Sequence, residues 1–478
     1  KIKNFDVMTD LIYVLRACRY GQIAMELDLT KTSAKDGTFK DGKELFQWLV
    51  ANRGLSRVLF RGMEDVSDPR KSLMAVVELK PVGNKTLLAY SELVTAFATS
   101  RSARCYHKQP APASIRESFM YYTTRKMRYD LKTMPYELSR YLADTELSIK
   151  ERNWAYGKYS RHPSPVQSYK ALKYDSDHLR DGTPKKISKL EFTLPNLLKV
   201  GGVCIEQAYY SSEICKAVGI PAKIVTGRGA SGISHAWTMC FVKTPRSHGA
   251  GWDSSTGRYG SQKYFVGNVQ NPATGRGMFD IELMLEGAAA LLKPTRREDA
   301  DTATSLAILA ADLANAGKLG DTTDLKAMAA LYKKRFAKSP VDPETLNATV
   351  KIDMVMVEDF LSMALACNIA HRPVWDFILE LRVNRDMLEV SHLRKFFDVL
   401  TSKTAKAYPD YSCDMVLRIV PSMSKHAARM NVYKNALRVY AARRDLQGRI
   451  LLDCGDDCAG NDKPALALKF YESAAMKN

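Results

Sequence analysis

Two long helical stretches enclose a middle region of a different kind. Up to about residue 150, apolar residues recur every three or four positions over 10–27, 42–59, 91–99 and 115–131, as in Leu45, Phe46, Leu49 and Val50. From about residue 297 the same period returns over 305–316, 324–337, 354–367, 375–381, 392–400 and 430–444. Between about 165 and 290 glycines gather (Gly227, Gly229, Gly232, Gly249, Gly251, Gly257 and Gly260), and short runs at 223–226, 235–242 and 262–266 fit strands. A helix over 204–218 precedes them, stopped by Gly219 with Pro221 two residues beyond. The simplest architecture is α+β: one helix packed on a small antiparallel sheet, flanked by all-helical regions. The expected division is 1–160 helical, 161–295 α+β core and 296–478 helical.

Composition narrows the class. The 478 residues suffice for about three domains. Apolar and aromatic content is that of a globular chain, and no run of about 18 apolar residues suggests a membrane span. The chain opens on Lys1 rather than Met, which fits removal of a signal peptide or other trimming. Of the net charge of +19, about half lies between residues 101 and 190, where 19 Lys and Arg face 9 Asp and Glu among many tyrosines. That mixture can grip an acidic polymer. No nucleic-acid motif accompanies it, so a solvated face over an aromatic core is the expectation and nucleic acid is not an expected partner. The nine cysteines include no CxxC pair. Cys454 and Cys458 could close a small loop, join a metal site or be two plain thiols. No calcium-loop pattern is present, and neither metal nor cofactor is expected.

The chemistry concentrates on three residues. Cys204 follows Gly201-Gly202-Val203 at the start of the expected helix. A helix N-terminus favours the thiolate, which is the nucleophilic form. The glycine pair is read as room for a sharp turn and for a substrate backbone. His235, in Ser234-His235-Ala236-Trp237, can act as base, and Asp253, in Gly251-Trp252-Asp253, can orient the imidazole. Each alone has a plain structural reading: a buried thiol like Cys215, a satisfied core histidine, an Asx turn. Their order and spacing favour the catalytic one. His248 lies in a glycine-rich loop and is a weaker rival.

Gly201-Gly202-Val203-Cys204, then Gly219-Ile220-Pro221-Ala222, His235-Ala236-Trp237 and Trp252-Asp253 together resemble the transglutaminase-like superfamily of papain-like cysteine enzymes, over roughly residues 190–270. Gly267-Asn-Val-Gln-Asn-Pro272 adds a likeness to long bacterial members. The resemblance implies acyl transfer through a thioester, with Cys204 as nucleophile, His235 as base and acid, and Asp253 as orienter. It implies a protein or peptide amide as substrate, with hydrolysis somewhat favoured over cross-linking. For the oxyanion, the Cys204 N–H and an upstream side chain, Tyr169 or Asn196, are the candidates. The likeness to long bacterial members suggests a bacterial source, and the start at Lys1 would fit export with a removed signal peptide.

The alternative is a binding or assembly protein whose triad is vestigial. Asn435-Ala-Leu-Arg-Val-Tyr440 and Ala465-Leu-Ala-Leu-Lys-Phe-Tyr471 align Ala436 on Ala467 and Tyr440 on Tyr471. That resembles half of a tetratricopeptide repeat, so the C-terminal helices are a candidate protein-binding array.

Overall fold

The computed structural model describes residues 5–29, 39–100, 108–229, 232–242, 251–258, 266–290, 294–315, 323–324, 351–352, 354–367, 369, 371–383 and 397–477. The expected helices at 324–337 and 392–400 and the strand at 262–266 fall wholly or mostly outside these residues, as do Cys105 and His248. The chain divides into two units: Lys1–Ser305 with Thr322–Ile352, and Leu306–Asp321 with Asp353–Asn478.

The first unit is built on a five-stranded antiparallel sheet, in the order β3-β2-β1-β4-β5. Its strands are β1 (Ala222–Arg228), β2 (Ser234–Phe241), β3 (Trp252–Thr256), β4 (Val266–Gln270) and β5 (Gly277–Phe279). The helix Cys204–Ala217 precedes β1 and packs on β1 and β2. Strand alternation assigns the faces. Ala222, Ile224 and Cys240 join the core under the cysteine helix, with Tyr209, Tyr210, Ile214 and Cys215. Val225, Trp237, Met239, Phe241 and Trp252 enter the opposite core, with Phe97, Phe119, Tyr122 and Tyr141 of the N-terminal helices. An α+β core flanked by helices is therefore what the chain forms.

The N-terminal helices follow local signals closely. Ser114 and Ser148 each accept from the N–H three residues on, while Glu117 and Glu151 reach back to the serine N–H, forming two capping boxes. Helix Ser91–Thr99 has its expected bounds. The expected helix at 42–59 breaks at Asn52 into Gly42–Ala51 and Arg53–Gly62. The stretch expected to be helical over 115–131 stops at Thr123; beyond it Arg128 N–H bonds Val218 O at 2.9 Å and the Tyr129 hydroxyl donates to Phe241 O at 3.0 Å. Six tyrosines of the basic region, Tyr121, Tyr122, Tyr136, Tyr141, Tyr159 and Tyr169, are buried core residues, while Tyr174 is exposed.

Both ends of the cysteine helix are fixed. At its C-terminus, Ile220 N–H bonds Cys215 O and Gly219 N–H bonds Lys216 O, both at 2.9 Å, with Gly219 at φ +84°. This is the glycine stop expected from the sequence. Tyr121 and Tyr122 hydroxyls donate to Ala217 O (2.7 Å) and Lys216 O (3.0 Å), satisfying carbonyls that a helix end leaves open. A buried ionic cluster adds to this. Lys216 Nζ lies 2.8 Å from Glu213 Oε1, Thr145 donates to Glu213 Oε2 at 2.6 Å, and Asp144 pairs with Lys223. Burial pushes the Asp144 carboxyl up, but Lys223 and Lys216 beside it outweigh that and hold it below the ordinary carboxylate range.

In the second unit, the described helices include Met354–Cys367, Arg372–Val383, Pro409–Ile419, His426–Val439, Arg444–Ala459 and Pro464–Ala475. The aligned residues Ala436, Ala467 and Tyr440 are buried, and Tyr440 hydrogen-bonds Ser412 at 2.7 Å. Tyr471 packs on Gly455, where an added Cβ would lie 2.2 Å from its ring. Cys454 and Cys458 are buried free thiols on one helix. Among the described residues no cluster of His, Cys, Asp and Glu could hold a metal, and no helix is long and apolar enough to cross a membrane.

Candidate active site

Cys204 is the first residue of its helix and is half-buried. The helical ladder opens with Gln207 N–H on Val203 O at 3.0 Å, so the N–H groups of Cys204, Ile205 and Glu206 precede it. Glu206 is fully buried. Its carboxylate accepts from Val203 N–H at 3.0 Å and pairs with Lys185 Nζ at 2.7 Å. An acidic group in the first turn suits the helix dipole. Lys185 offsets the negative charge that Glu206 brings near the thiol.

The glycine pair has a use that its sequence does not reveal. Lys173–Asp175 lies against it: Gly202 N–H bonds Lys173 O at 3.0 Å and Asp175 N–H bonds Gly202 O at 3.1 Å. A Cβ on Gly201, whose φ is +83°, would sit 2.2 Å from Lys173 O, and one on Gly202 would sit 2.4 Å from Glu206 Cβ. The space expected for a substrate backbone is occupied by the protein's own chain.

Tyr169 joins the candidate residues. Its buried ring packs with Ala208 and Ala236, with Cys204 and Ile205 against the same cluster. Its hydroxyl donates to Ala236 O at 2.9 Å, which commits that hydrogen to the residue after His235. Gly257 also approaches the Tyr169 ring closely, since an added Cβ would stand 2.6 Å from it. Asn196, the other oxyanion candidate, lies in the helix Leu194–Val200 and donates its amide to Glu191 O at 2.9 Å.

His235 is buried at the start of β2, opposite Gly227. Its ring lies 6.2 Å from Trp237 and nearly parallel to it, and Nε2 is 2.6 Å from Gly257 O. A carbonyl only accepts, so Nε2 carries the hydrogen and the neutral ring keeps its lone pair on Nδ1. Asp253 lies elsewhere on β3. It pairs with Cys240, five positions along β2 from His235, while Thr256 pairs with Thr238 and the register shifts between the two. Five residues of strand span roughly 16 Å. Asp253 Oδ1 instead accepts Ser255 N–H at 2.8 Å, an Asx turn. The structure thus brings Cys204 and the His235 segment to one tyrosine, and gives the imidazole the Gly257 carbonyl rather than the Asp253 carboxylate. Among the described residues the Cys204 thiol makes no hydrogen bond. Sequence reasoning missed Gly257, because a main-chain acceptor leaves no residue-type signal.

Cys215, on the same helix, is the buried thiol expected of it. Burial and a hydrogen bond with Cys240 push it well above the ordinary thiol range.

Residues 162–254 match the family model described as Transglutaminase-like superfamily. That interval holds Tyr169, Cys204, His235 and Asp253 and ends three residues before Gly257. No curated protein and no solved structure gives a significant match to the chain.

Proposed function

From the premise that this chain carries a transglutaminase-like domain of the papain-like cysteine enzymes, we propose that it performs acyl transfer on protein or peptide amides. Cys204 is the nucleophile and His235 its base. The thiolate adds to the amide carbonyl, the C–S bond forms as the C–N bond breaks, and the imidazolium gives its proton to the leaving amine. Water, activated by the same imidazole, then releases the acid. The Cys204 N–H at the helix start is the first oxyanion donor. The observation that carries this reading is the place of Cys204 at a buried helix N-terminus, sharing Tyr169 with the residue that follows His235. In the resting arrangement the Gly257 carbonyl orients the imidazole, and Asp253 is the carboxylate expected to do so from the family likeness.

Intact-protein and peptide mass spectrometry with an amine donor and a glutamine-peptide library tests the reaction, separating cross-linking, deamidation and proteolysis in one run. Cys204→Ala should abolish every product. Asp253→Asn separates the two orienters. A kcat loss near ~10⁴, the scale seen when a triad aspartate is neutralised, assigns the role to Asp253, and a loss under about threefold assigns it to Gly257. If iodoacetamide labels Cys204 no faster than it does in a His235→Ala chain, the thiol–imidazole pairing is wrong.

A second reading, partner binding by the C-terminal helices, draws on their exposed apolar residues. Leu452, Leu466, Leu468 and Met476 are 41, 39, 58 and 72 % exposed. A pull-down that survives Cys204→Ala but not Leu468→Asp would favour it.

A further inference from the structure

The segments that meet around Cys204 and His235 share one sign of charge. They are 165–173, which carries Tyr169; 199–205, which leads into the cysteine; 226–229 and 232–235, the latter ending on His235; and 254–258, which supplies Gly257. Together they hold Lys170, Lys173, Lys199, Arg228 and Arg258, and no Asp or Glu. The acidic residues nearest in sequence are engaged. Glu206 is buried on Lys185, Asp175 is buried with Lys186 Nζ at 3.2 Å, and Asp253 is turned onto Ser255 N–H.

The cations are held in place by the site's own backbone. Lys173 is the residue whose carbonyl docks on Gly202, two positions before Cys204. Lys170 follows Tyr169. Arg228 pairs with Ser234, directly before His235. Arg258 follows Gly257, with its guanidinium 5.8 Å from the centre of the Trp237 ring. Lys170, Lys173, Lys199 and Arg228 are exposed, and among the described residues none forms an ion pair with a carboxylate. Elsewhere in the basic region some cations are used internally, while others, such as Lys126 and Lys150, are exposed. Arg152 is fully buried against Tyr121 and Tyr122, Arg140 pairs with Glu286, and Arg125 lies 4.3 Å over Tyr121. What sets the cations around the candidate site apart is that the segments carrying them hold no acidic residue.

We propose that this site selects acidic acyl donors: peptide amides whose flanking residues carry carboxylates. The inference deepens the acyl-transfer reading and rests on it for the word donor. Cations of one sign carried by the segments around a site raise the local concentration of an anionic ligand. A peptide is favoured over a nucleic acid because a thiol nucleophile needs an amide carbonyl to attack.

The test has one arm that needs no turnover. In the full chain carrying Cys204→Ala, a fluorescent glutamate-rich peptide amide is titrated against its lysine-rich and neutral counterparts by anisotropy. The same is done with Lys170→Gln/Lys173→Gln/Arg228→Gln added, and with a charge-matched control, Lys126→Gln/Lys150→Gln/Lys158→Gln, away from the site. Three unit charges at about 10 Å in water predict roughly a four- to fivefold loss of acidic-peptide affinity per peptide carboxylate in the first variant at about 0.01 M salt, falling to about twofold at about 0.15 M and fading by about 1 M. The control should change it less than twofold. Equal losses in the two variants overturn the proposal, as does a glutamate-rich peptide that binds no better than the neutral one. Displacement of the acidic peptide by a single-stranded oligonucleotide at lower concentration than by polyglutamate overturns the assignment to peptides. In the second arm, wild-type Cys204 is alkylated with iodoacetate and with iodoacetamide. The iodoacetate-to-iodoacetamide rate ratio should exceed that of the urea-unfolded chain severalfold and fall in the site variant. Failure of turnover with this ratio intact would sink the acyl-transfer reading and leave the anion preference standing.

Discussion

Gly201→Ala tests what the glycine pair is for. Gly201 sits at φ +83°, ψ −170°, a region that only glycine populates readily, so an alanine there costs about 1–3 kcal/mol in backbone strain. Its Cβ would also stand 2.2 Å from Lys173 O and 3.0 Å from Lys173 C. Both are main-chain atoms, so relief requires moving the 173–175 segment. That movement strains the bonds from Gly202 N–H to Lys173 O and from Asp175 N–H to Gly202 O, each worth about 1 kcal/mol. The sum is about 3–5 kcal/mol, a large part of the roughly 5–15 kcal/mol that stabilises a domain. Urea unfolding followed by tryptophan fluorescence reads it, since Trp48, Trp154, Trp237 and Trp252 all lie in the first unit. Gly54→Ala is the control: nothing lies within 4 Å of its added Cβ, and helix propensity predicts a gain of up to about 1 kcal/mol. A Gly201→Ala loss below about 1 kcal/mol would refute the docking account. If turnover fell while stability held, the glycine would be serving substrate approach instead.

Tyr169→Phe should cost about 1–3 kcal/mol of stability by orphaning Ala236 O, and lower kcat less than about tenfold. A kcat loss of about 10²–10³ would return Tyr169 to the oxyanion role. Asp144→Asn should cost about 3–5 kcal/mol at neutral pH by leaving Lys223 without its buried carboxylate, while Lys216 keeps Glu213. Because the folded Asp144 pKa is depressed, its contribution is complete above the unfolded value near ~3.9 and lost as pH falls through the folded value, so wild type and variant should converge in strong acid and differ at pH 7. Gly455→Val should destabilise the C-terminal unit by about 1–3 kcal/mol by forcing Tyr471 off its helix, read at Trp375.

The elements legible in the sequence are those whose signals are local. The cysteine helix announces its start with Gly-Gly and its stop with Gly219 and Pro221, and Ser148 with Glu151 marks a capping box in residue types alone. β3 carries no such mark. Trp252-Asp253-Ser254-Ser255 has the composition of a turn, and it becomes a strand only by pairing with β2. The place of Asp253 then depends on a register containing an irregularity between Thr238 and Cys240, and register is a long-range property that no spacing encodes. The same limit applies to Gly201 and Gly202: glycine tells that a close approach occurs, not which chain makes it. Cys204, His235 and Tyr169 are candidates that residue type alone can suggest, whereas the Gly257 carbonyl beside His235 shows only in three dimensions.

The N-terminal helices are the least expected part of the site's support. Trp237, Phe241 and Trp252 leave the sheet on the face away from the cysteine helix and are at most 6 % exposed, packed with residues that include Phe97, Tyr122 and Tyr141. Large aromatics bury about 150–250 Å² each, and at about 25 cal/mol per Å² three of them contribute about 11–19 kcal/mol, an upper figure but one on the scale of a whole domain's stability. The same helices supply Tyr121 and Tyr122, which close the carbonyl end of the cysteine helix. A fragment of residues 161–305 should therefore fail to fold cooperatively, bind a hydrophobic dye, and alkylate Cys204 and the otherwise buried Cys215 at equal rates. The full chain should protect Cys215. A fragment that unfolded cooperatively near the full chain's midpoint, with Cys215 protected, would show that the sheet needs no cover on its Trp237 face. The helical region would then be a separate domain rather than half of the fold that holds Cys204.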